Sequence, residues 1–357
     1  MIVVIPSIRT INKQYIKYLL DPDIEIIVVD DTDEERIEPI SDNMKVLHYS
    51  DRKRMLGDHG NCIPRKNGAC RDFGLWYAYI HGKKDETIIC LDDDCEINHD
   101  YKTLAEKSLG IKKLPLAATG NRFYNPLDLY GLDIEVFPRG FPYEERGRGN
   151  DYDYSDHIEG NVVFNLGLWR GIFDVNAIDK LYLPQYSFDT KKLRFDQVAV
   201  QKGALVSLCS MNMILKREVI PAIYQLPMNE PVVPEWVINR YGDIWGGYIC
   251  KKLADIKGDI VSVGEPMINH YKEDTQKEIL RNIRQEHYSH IVNMTFCDIL
   301  DEACAGIGSS DYLSMYRDLV ENMKKLRGSF PVSIKPYLEP TVVKMGQWVE
   351  ALSMNND

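Results

Sequence analysis

The chain has 357 residues, and its 43 lysines and arginines are outnumbered by 54 aspartates and glutamates, which gives a formal net charge of −11. Apolar residues make up 44% and charged residues 27%, a globular balance that excludes a collagen-like fibre, a coiled coil and a disordered chain. The acidic surplus also argues against a general nucleic-acid-binding protein, which needs basic surface to neutralise phosphates. A small anionic ligand could bind only where a local group overcomes the electrostatic repulsion from this net negative charge.

The cysteine pattern and the apolar runs predict a reduced, cytoplasmic protein without a membrane span. The eight cysteines are scattered, and none forms the C-x-x-C pair of a zinc or redox site. The apolar run at residues 1–5 is too short for a signal peptide and follows no basic leader. No later segment approaches the ~20 consecutive apolar residues of a transmembrane helix.

Three short apolar runs and one helical pattern occupy the first hundred residues. The runs at 2–5, 25–29 and 87–91 are apolar almost throughout, which is typical of strands covered on both faces. Before the third run, apolar residues at 3–4 spacing predict a helix over 67–81, which Gly82 would end. Strands that alternate with helices predict an α/β fold with a mixed, mostly parallel sheet flanked by helices.

Acidic residues follow two of these runs, at the sheet edge where α/β proteins bind ligands. Asp31 follows the second run, and Asp92, Asp93 and Asp94 follow the third. One acidic strand end is most often a solvated turn, but two such ends in one sheet favour a site. Asp92 and Asp94 would project to one face, and carboxylate oxygens suit Mn²⁺ or Mg²⁺. Such an ion would reverse the local field and attract a diphosphate.

Cations cluster near the same edge. Arg65, Lys66 and Arg71 stand around the start of the predicted helix, whose N-terminus itself favours anions, and Arg9 follows the first strand. Each one alone is best explained as a surface cation, but together they predict a phosphate-binding cradle. His270 could add an imidazole to a Mn²⁺ site, although a lone histidine is more often an ordinary core or surface residue.

The middle of the chain is rich in loop-forming residues. Residues 120–180 contain many glycines, aspartates, tyrosines, prolines and arginines, and the segment 137–149 predicts a long loop or flap over a site. An apolar run at 207–215 predicts a further strand.

Helical spacing dominates the last part of the chain. Apolar residues predict helices around 279–300, 313–323 and 347–352. We therefore expect an α/β catalytic domain over 1–275 and a helical C-terminal extension over 276–357.

Short segments throughout the first 275 residues resemble those of a known family. In chain order they are 4–9; Cys62, Ile63, Lys66, 69–71, Phe73 and Gly74; 92–95; 139–143 and Arg146; 167–169; Cys209, Met211 and Asn212; Arg240, Tyr241, Asp243, Trp245 and Gly247; and His270. Each segment is weak alone, but their common order is strong. The sequence is similar to the plant reversibly glycosylated polypeptides, whose activity is UDP-arabinopyranose mutase.

The resemblance implies a GT-A (Rossmann-like) glycosyltransferase fold that binds a UDP-sugar and Mn²⁺ or Mg²⁺. In such folds the first strand and its Pro-Ser pair meet uracil, and an acid after the second strand, here Asp31, faces the nucleoside. The implied metal ligands are Asp92, Asp94 and His270. The residues expected at the nucleotide-sugar are Pro6, Ser7, Arg9, Asp31, Lys66, Arg71, Asp92, Asp93, Asn212 and Trp245.

The residues expected to take part in the reaction are Arg139, Arg146 and Asp243. Arg146 aligns with the family's reversibly glycosylated arginine, but a protonated guanidinium is a poor nucleophile and would more naturally stabilise a departing diphosphate. Asp243 could stabilise or attack an oxocarbenium-like carbon, and it is equally well explained as a helix-start cap. Plant members carry two acids where this chain has Gly242 and Asp243, and segment 229–239 also differs. The resemblance therefore does not identify which sugar the UDP-sugar carries.

Three functions are compatible with these residues. The first is a UDP-sugar mutase that interconverts pyranose and furanose forms, with reversible self-glycosylation as an added property. The second is a glycosyltransferase that uses a separate acceptor, and the third is a non-enzymatic sugar-nucleotide-binding scaffold. The long 120–160 segment favours the mutase because a closing flap would exclude water. The chain retains the acids 92–94 and Asp243, which argues against a non-enzymatic scaffold. A homo-oligomer is expected because family members associate.

Overall fold

The computed structural model describes residues 1–147, 152–182, 187–188, 192–233 and 236–354, which form a mixed α/β fold around a ten-stranded sheet. The strands of the described residues are β1 Ile2–Ser7, β2 Glu25–Asp30, β3 Met44–Leu47, β4 Thr87–Leu91, β5 Gly110–Ala117, β6 Phe123–Tyr124, β7 His157–Ile172, β8 Ser187–Phe188, β9 Gln197–Val200, β10 Leu205–Val206, β11 Asn212–Lys216, β12 Glu230–Val233, β13 Trp236–Ile238 and β14 Ile260–His270. The sheet order is β14-β9-β5-β7-β11-β4-β1-β2-β3, with β8 beside β7.

The three apolar runs predicted as strands are confirmed as β1, β2 and β4. They pair in parallel, with Val4 opposite both Ile27 and Cys90. Nearly all their side chains are buried because helices and other segments cover both faces, which is why the runs lack the alternation of a half-exposed strand. Parallel pairing brings the carboxyl ends of these strands to the same edge.

The other half of the sheet mixes parallel and antiparallel pairs. β11 lies antiparallel between β4 and β7, whereas β14 runs parallel to β7. The strand predicted over 207–215 begins later, at Asn212, as β11. The short strand β10, Leu205–Val206, precedes it and pairs with β6 in a separate sheet. The predicted mixed sheet is therefore confirmed, with parallel pairs among β1 to β4 and also between β14 and β7 and between β5 and β9.

The helices of the described residues are α1 Tyr49–Leu56, α2 Arg71–His81, α3 Tyr101–Ser108, α4 Asp179–Tyr182, α5 Gly242–Lys257, α6 Gln276–Cys304, α7 Tyr312–Leu326 and α8 Lys335–Ser353. Helix α2 begins four residues after the predicted start. Asn67 accepts a hydrogen bond from the Ala69 amide at 2.7 Å, and the turn that follows is a 3₁₀ helix, Gly68–Cys70. The amides of Ala69 and Cys70 are hydrogen-bonded to Asn67 within this turn, and the α-helix starts only at Arg71.

The segment predicted as a long loop or flap, residues 137–149, is packed against the rest of the protein. Its described part, residues 137–147, contains only the 3₁₀ turn Tyr143–Glu145, and Phe137 and Phe141 are buried against each other. Further along the middle of the chain, the long strand β7 occupies His157–Ile172. Residues 148–149 of the predicted flap lie outside the described residues. The role of this segment as a flap stays a prediction.

The C-terminal helices share one hydrophobic core with the sheet. Thr275 and Glu278 form a capping box that starts α6, and α8 lies against the first half of the chain. The Trp76 indole donates to the Ala351 carbonyl at 2.9 Å, and Trp348 stacks on Tyr224. The domain boundary at residue 275 stays a prediction. No helix among the described residues is long and apolar enough to cross a membrane.

Gly74 allows helix α2 to approach the sheet closely. A Cβ atom built there would lie 2.5 Å from Val4 Cγ1 and 3.0 Å from Val29 Cγ2. We predict that Gly74→Ala destabilises the fold by about 1–3 kcal/mol, because the valines have no room to move. Urea unfolding measures this. Gly346→Ala in α8 is the matched control, since its Cβ would meet nothing closer than 3.8 Å. A neutral Gly74 variant would contradict the tight contact.

Candidate active site

The carboxyl ends of β1 and β4 are joined by a network of polar side chains. Ser7 Oγ donates to Asp93 Oδ2 at 2.5 Å. The Arg9 guanidinium contacts Asp93 and lies 3.3 Å from Asp94 Oδ2, and Lys272 Nζ reaches the same oxygen at 3.4 Å. The predicted gathering of these acids and Arg9 at one sheet edge is therefore present in the structure.

Asp92 is held by a buried cation. The Arg71 side chain is fully buried, and its Nη2 donates to the Leu91 carbonyl at 3.1 Å and to the Asp92 carboxylate. Burial raises the pKa of Asp92, the Arg71 charge opposes that rise, and the neighbouring Asp94 adds to it. Arg71 does not line a cavity. It lies beneath Asp92 and fixes the position of the carboxylate.

Asp31 is fixed by the segment that precedes α2. The Lys66 amide donates to the Asp31 carboxylate, and Arg65 Nε lies 3.6 Å from it. Lys66 adopts a left-handed backbone conformation with φ of 56°, which turns this amide towards Asp31. Burial raises the pKa of Asp31, while the Lys66 amide and Arg65 lower it.

Two cavities meet at the DxD segment, residues 92–94. The first cavity, of about 590 Å³, is lined by Pro6, Ser7, Arg9, Asp31, Asp93 and their neighbours. The second, of about 480 Å³, is lined by residues from 139 onwards that include Arg139, Asp243 and His270. The wall common to both consists of Lys66, Asn67, Gly68, Asp92, Asp94 and Lys272. A ligand with two chemically different ends could therefore occupy both cavities and cross this wall.

All three guanidinium nitrogens of Arg139 donate hydrogen bonds at the wall of the second cavity. Its Nε donates to Asp174 Oδ2 at 3.0 Å, its Nη2 donates to Asp243 Oδ2 at 2.8 Å, and its Nη1 donates to the Arg240 carbonyl. Burial opposes ionisation of Asp174, but the Arg139 charge prevails and lowers the pKa of Asp174 to about 2. Cys209 Sγ lies 3.2 Å from Asp174 as well. Arg139 thus orients two carboxylates at the cavity wall.

Asp243 lies in the first turn of α5 and faces the second cavity. Its Oδ2 accepts from the Ser210 amide at 3.3 Å as well as from Arg139. It does not act as the helix cap, since Tyr241 occupies that position. At the preceding Gly242 a Cβ would lie 2.5 Å from the Leu226 carbonyl. An acid at 242, the plant pattern, would require this backbone to move.

The donor set suits a divalent ion. Asp92, Asp94 and His270 line the second cavity, and His270 Nδ1 lies 3.1 Å from the Ile172 carbonyl. That carbonyl can only accept, so Nδ1 carries the proton and Nε2 keeps its lone pair for a ligand. No group of three His, Cys, Asp or Glu side chains in the described part of the chain is close enough to hold an ion without help. Mg²⁺ and Mn²⁺ sites use few protein carboxylates together with substrate phosphates, and the residues fit that pattern.

Four predicted site residues lie outside both cavity walls, and one of them is Arg71, which lies beneath Asp92. Arg146 pairs with Asp179 through both terminal nitrogens, at 3.0 and 2.7 Å, and its guanidinium stacks on Tyr143. Trp245 is fully buried, with its indole donating to Asn293 at 2.9 Å. Asn212 is buried at the start of β11 and donates to the backbone. Whether they take part in the reaction stays a prediction.

Several cavity residues were not predicted from the sequence. They are Asn67, Asp174, Lys180, Arg240, Lys272 and Gln285. Arg240 stands in one of the segments that resemble the plant family, and Lys272 is two residues after His270, so both could have been identified as site residues from the sequence. Gln285 could not, because it lies in α6 and reaches the cavity only through the packing of the C-terminal helices.

Comparison with known proteins agrees with the resemblance in the sequence. The model of the family described as reversibly glycosylated polypeptide matches residues 1–357. The chain belongs to this family. A probable UDP-arabinopyranose mutase 1 of Pisum sativum is 29% identical over 361 residues, which cover 98% of this chain and 89% of the pea protein. UDP-arabinopyranose mutase 2 of Arabidopsis thaliana is 29% identical, covering 98% of this chain and 90% of that relative.

The chain also matches solved structures, among them a mannosyltransferase from Pyrobaculum calidifontis in complex with GDP-Man and Mn²⁺, which aligns with 99% of this chain and 86% of its own at 11% identity. The TM-score is 0.33, which is too low to establish a common fold.

The buried Arg139–Asp174 pair makes stability depend on pH at the acid end. In the folded protein the pKa of Asp174 is lowered to about 2, whereas an aspartate in the unfolded chain has a pKa of about 3.9. The ionised Asp174 therefore adds its full contribution to the free energy of unfolding above that unfolded pKa, and this contribution is lost as pH falls towards 2. We predict that Asp174→Asn costs about 2 kcal/mol in urea unfolding at pH 7 and distinctly less at pH 3. Asp298→Asn, which breaks an exposed pair with Arg122, is the control and should cost little at either pH. An equal cost of the Asp174 variant at both pH values would contradict the lowered pKa.

Proposed function

We propose that this family member is a metal-dependent UDP-sugar mutase that interconverts pyranose and furanose forms of a UDP-sugar such as UDP-arabinopyranose. The observation that carries the proposal is the meeting of two cavities at Asp92 and Asp94, one bordered by the strand ends and one by the Arg139–Asp243 pair. Relatives that align over almost the whole chain bear the name UDP-arabinopyranose mutase, which supports the choice of sugar nucleotide.

The first cavity would bind the uridine. Pro6 and Ile8 offer apolar surface at the end of β1, and Asp31 offers an acceptor for the nucleoside. Arg9 and Ser7 hold Asp93 in the same wall. This arrangement favours a flat, polar-edged base with a hydroxylated ribose. The local cations overcome the repulsion that a net charge of −11 would exert on a nucleotide.

The wall between the cavities would bind the diphosphate. Lys66 and Lys272 supply positive charge there. Asp92, Asp94 and His270 Nε2 would hold Mn²⁺ or Mg²⁺, which would neutralise the diphosphate and stabilise UDP as a leaving group. Lys272 already contacts Asp94, so the protein balances these carboxylates even before a ligand arrives. Positive charge at this wall would favour departure of UDP from the anomeric carbon.

The second cavity would hold the sugar beside Asp243. Arg139 and the Ser210 amide fix this carboxylate, so it can face a carbon that becomes positively charged as UDP leaves. A carboxylate there would stabilise the sugar, or bond to it for a short time, until UDP returns to the rearranged ring. Closure of the predicted flap over the cavity would limit capture of the sugar by water.

Self-glycosylation at Arg146 has less support from the geometry. Both terminal nitrogens of Arg146 bind Asp179, and the guanidinium lies outside the walls of both cavities. Transfer of the sugar to a separate acceptor would use the same two cavities and is the alternative reading of the site. The cytoplasmic location and the homo-oligomer stay predictions.

The reaction can be tested directly. The protein is incubated with UDP-arabinopyranose, UDP-galactose or UDP-glucose, with and without Mn²⁺, and the products are separated by chromatography. We expect a furanose isomer from at least one of these substrates, with no acceptor added and only when Mn²⁺ is present. Free UDP together with labelled protein, and no isomer, would instead support self-glycosylation and contradict the mutase.

The metal assignment has a separate test. We predict that Asp94→Ala abolishes the Mn²⁺-dependent part of UDP binding in calorimetry, because it removes one of the two converging carboxylates. Asp93→Asn is the matched control. Asp93 contacts Ser7 and Arg9, so its variant should keep the Mn²⁺ dependence even if UDP binds more weakly. Unchanged Mn²⁺-dependent affinity in the Asp94 variant would refute the assignment.

A further inference from the structure

Arg240 differs from the other arginines of the site because its terminal nitrogens are free. Its side chain lines the second cavity, and its Nε donates to Glu286 Oε1 at 2.7 Å. Among the described residues, neither terminal nitrogen of Arg240 makes a hydrogen bond. By contrast, Arg139 uses all three of its nitrogens on Asp174, Asp243 and the Arg240 carbonyl. Arg240 therefore offers a charged fork of N–H donors to a ligand in the cavity.

The backbone of Arg240 is held in an unusual conformation. Its φ is 63°, in the left-handed region that residues with a side chain seldom adopt. The carbonyl is fixed by Arg139 Nη1, and the amide donates to Asn239 Oδ1 at 2.8 Å. Such strain persists only where the surroundings enforce it, and it gathers at ligand sites. Arg240 lies two residues before the start of α5, and Arg139 links its carbonyl to the Asp243 carboxylate.

Glu286 fixes the side chain of Arg240 from the C-terminal helix α6. The carboxylate is almost fully buried, with 1% of the side chain exposed, and its Oε2 accepts from the Ala177 amide at 2.7 Å. Burial would favour the neutral acid, but His290 and the Arg240 charge outweigh it, so that the pKa of Glu286 is lowered. Other groups close to this carboxylate are cations or donors. An ionised Glu286 therefore holds Arg240 by one nitrogen and leaves the other two available.

We propose that Arg240 binds the sugar hydroxyls of the UDP-sugar and that Glu286 is the residue that positions it. The inference rests on the proposed function. Arg240 borders the second cavity and not the wall shared with the first, where the lysines 66 and 272 face the diphosphate. The wall of this cavity carries the amide side chains of Asn229, Asn239 and Gln285, which are suited to neutral hydroxyls, together with charged side chains such as Asp174 and Lys180. The ligand at this end is therefore a polyhydroxylated ring rather than a phosphate.

The distinction between sugar and phosphate gives the test. Arg240→Gln is titrated by calorimetry with UDP and with UDP-arabinopyranose, both with Mn²⁺. We expect UDP affinity to stay within twofold of the unsubstituted protein and UDP-arabinopyranose affinity to fall roughly tenfold, as for loss of hydrogen bonds from a charged donor. An equal loss for both ligands would mean a phosphate contact, and no loss for either would mean no contact. Both results overturn the inference.

Glu286→Gln tests the positioning role. We expect the same selective loss for UDP-arabinopyranose, and we expect the double variant with Arg240→Gln to be no weaker than the Arg240 variant alone, because both changes act through one side chain. Additive losses would overturn the role of Glu286. Tyr288→Phe is the matched control on the same helix. It removes a hydrogen bond to the Ser333 carbonyl at 2.6 Å, away from the cavity, and should leave both affinities unchanged.

The two proposals fail in different ways. Failure of the mutase proposal would appear in the unsubstituted protein, as absence of any isomer of UDP-arabinopyranose. Failure of the present inference would appear only in the comparison of variants, whatever the fate of the bound sugar.

Discussion

The ion pair between the buried Arg71 and the cavity-lining Asp92 is the interaction on which the site depends. A fully buried guanidinium at the start of α2 must be paired, because an unpaired charge there would cost several kcal/mol. Its only strong anionic partner among the described residues is Asp92, at the end of β4. The pair thereby ties the helix to the strand end and sets the direction in which residues 92–94 leave the sheet. Both cavities are built around that turn.

Charge at this edge is balanced locally rather than globally. The chain is strongly acidic, yet each carboxylate at the junction of the cavities has a cation in contact: Arg71 for Asp92, and Arg9 and Lys272 for Asp94. These cations are contributed by α2, by the loop after β1 and by the segment that follows β14. The fold therefore gathers charges that are up to 263 positions apart in the chain, between Arg9 and Lys272, around one small volume.

Sequence patterns predicted the parts of the fold and site that depend on local chemistry. Apolar runs identified β1, β2 and β4, and the acids after them identified the sheet edge. The position of Trp245 could not be predicted, because a buried tryptophan and one facing a ligand occupy the same kind of helical position. The pairing of Arg240 with Glu286 was equally hidden, since it joins a residue just before α5 to α6 across 46 residues and leaves no periodic signal. The positions of these residues depend on packing between segments that are far apart in the chain, and not on local secondary-structure propensity.

The last helix has a further consequence through its contact with the first half of the chain. Trp76 donates to the carbonyl of Ala351, and Trp348 covers Tyr224 while it donates to Pro221 at 3.2 Å. A ribosome-bound chain that has not yet exposed α8 leaves these large aromatic surfaces open to water. The N-terminal strands can pair during synthesis, but the layer around Trp76 closes only once α8 has also been made. The aromatic contacts of this layer therefore join segments that are synthesised far apart in time.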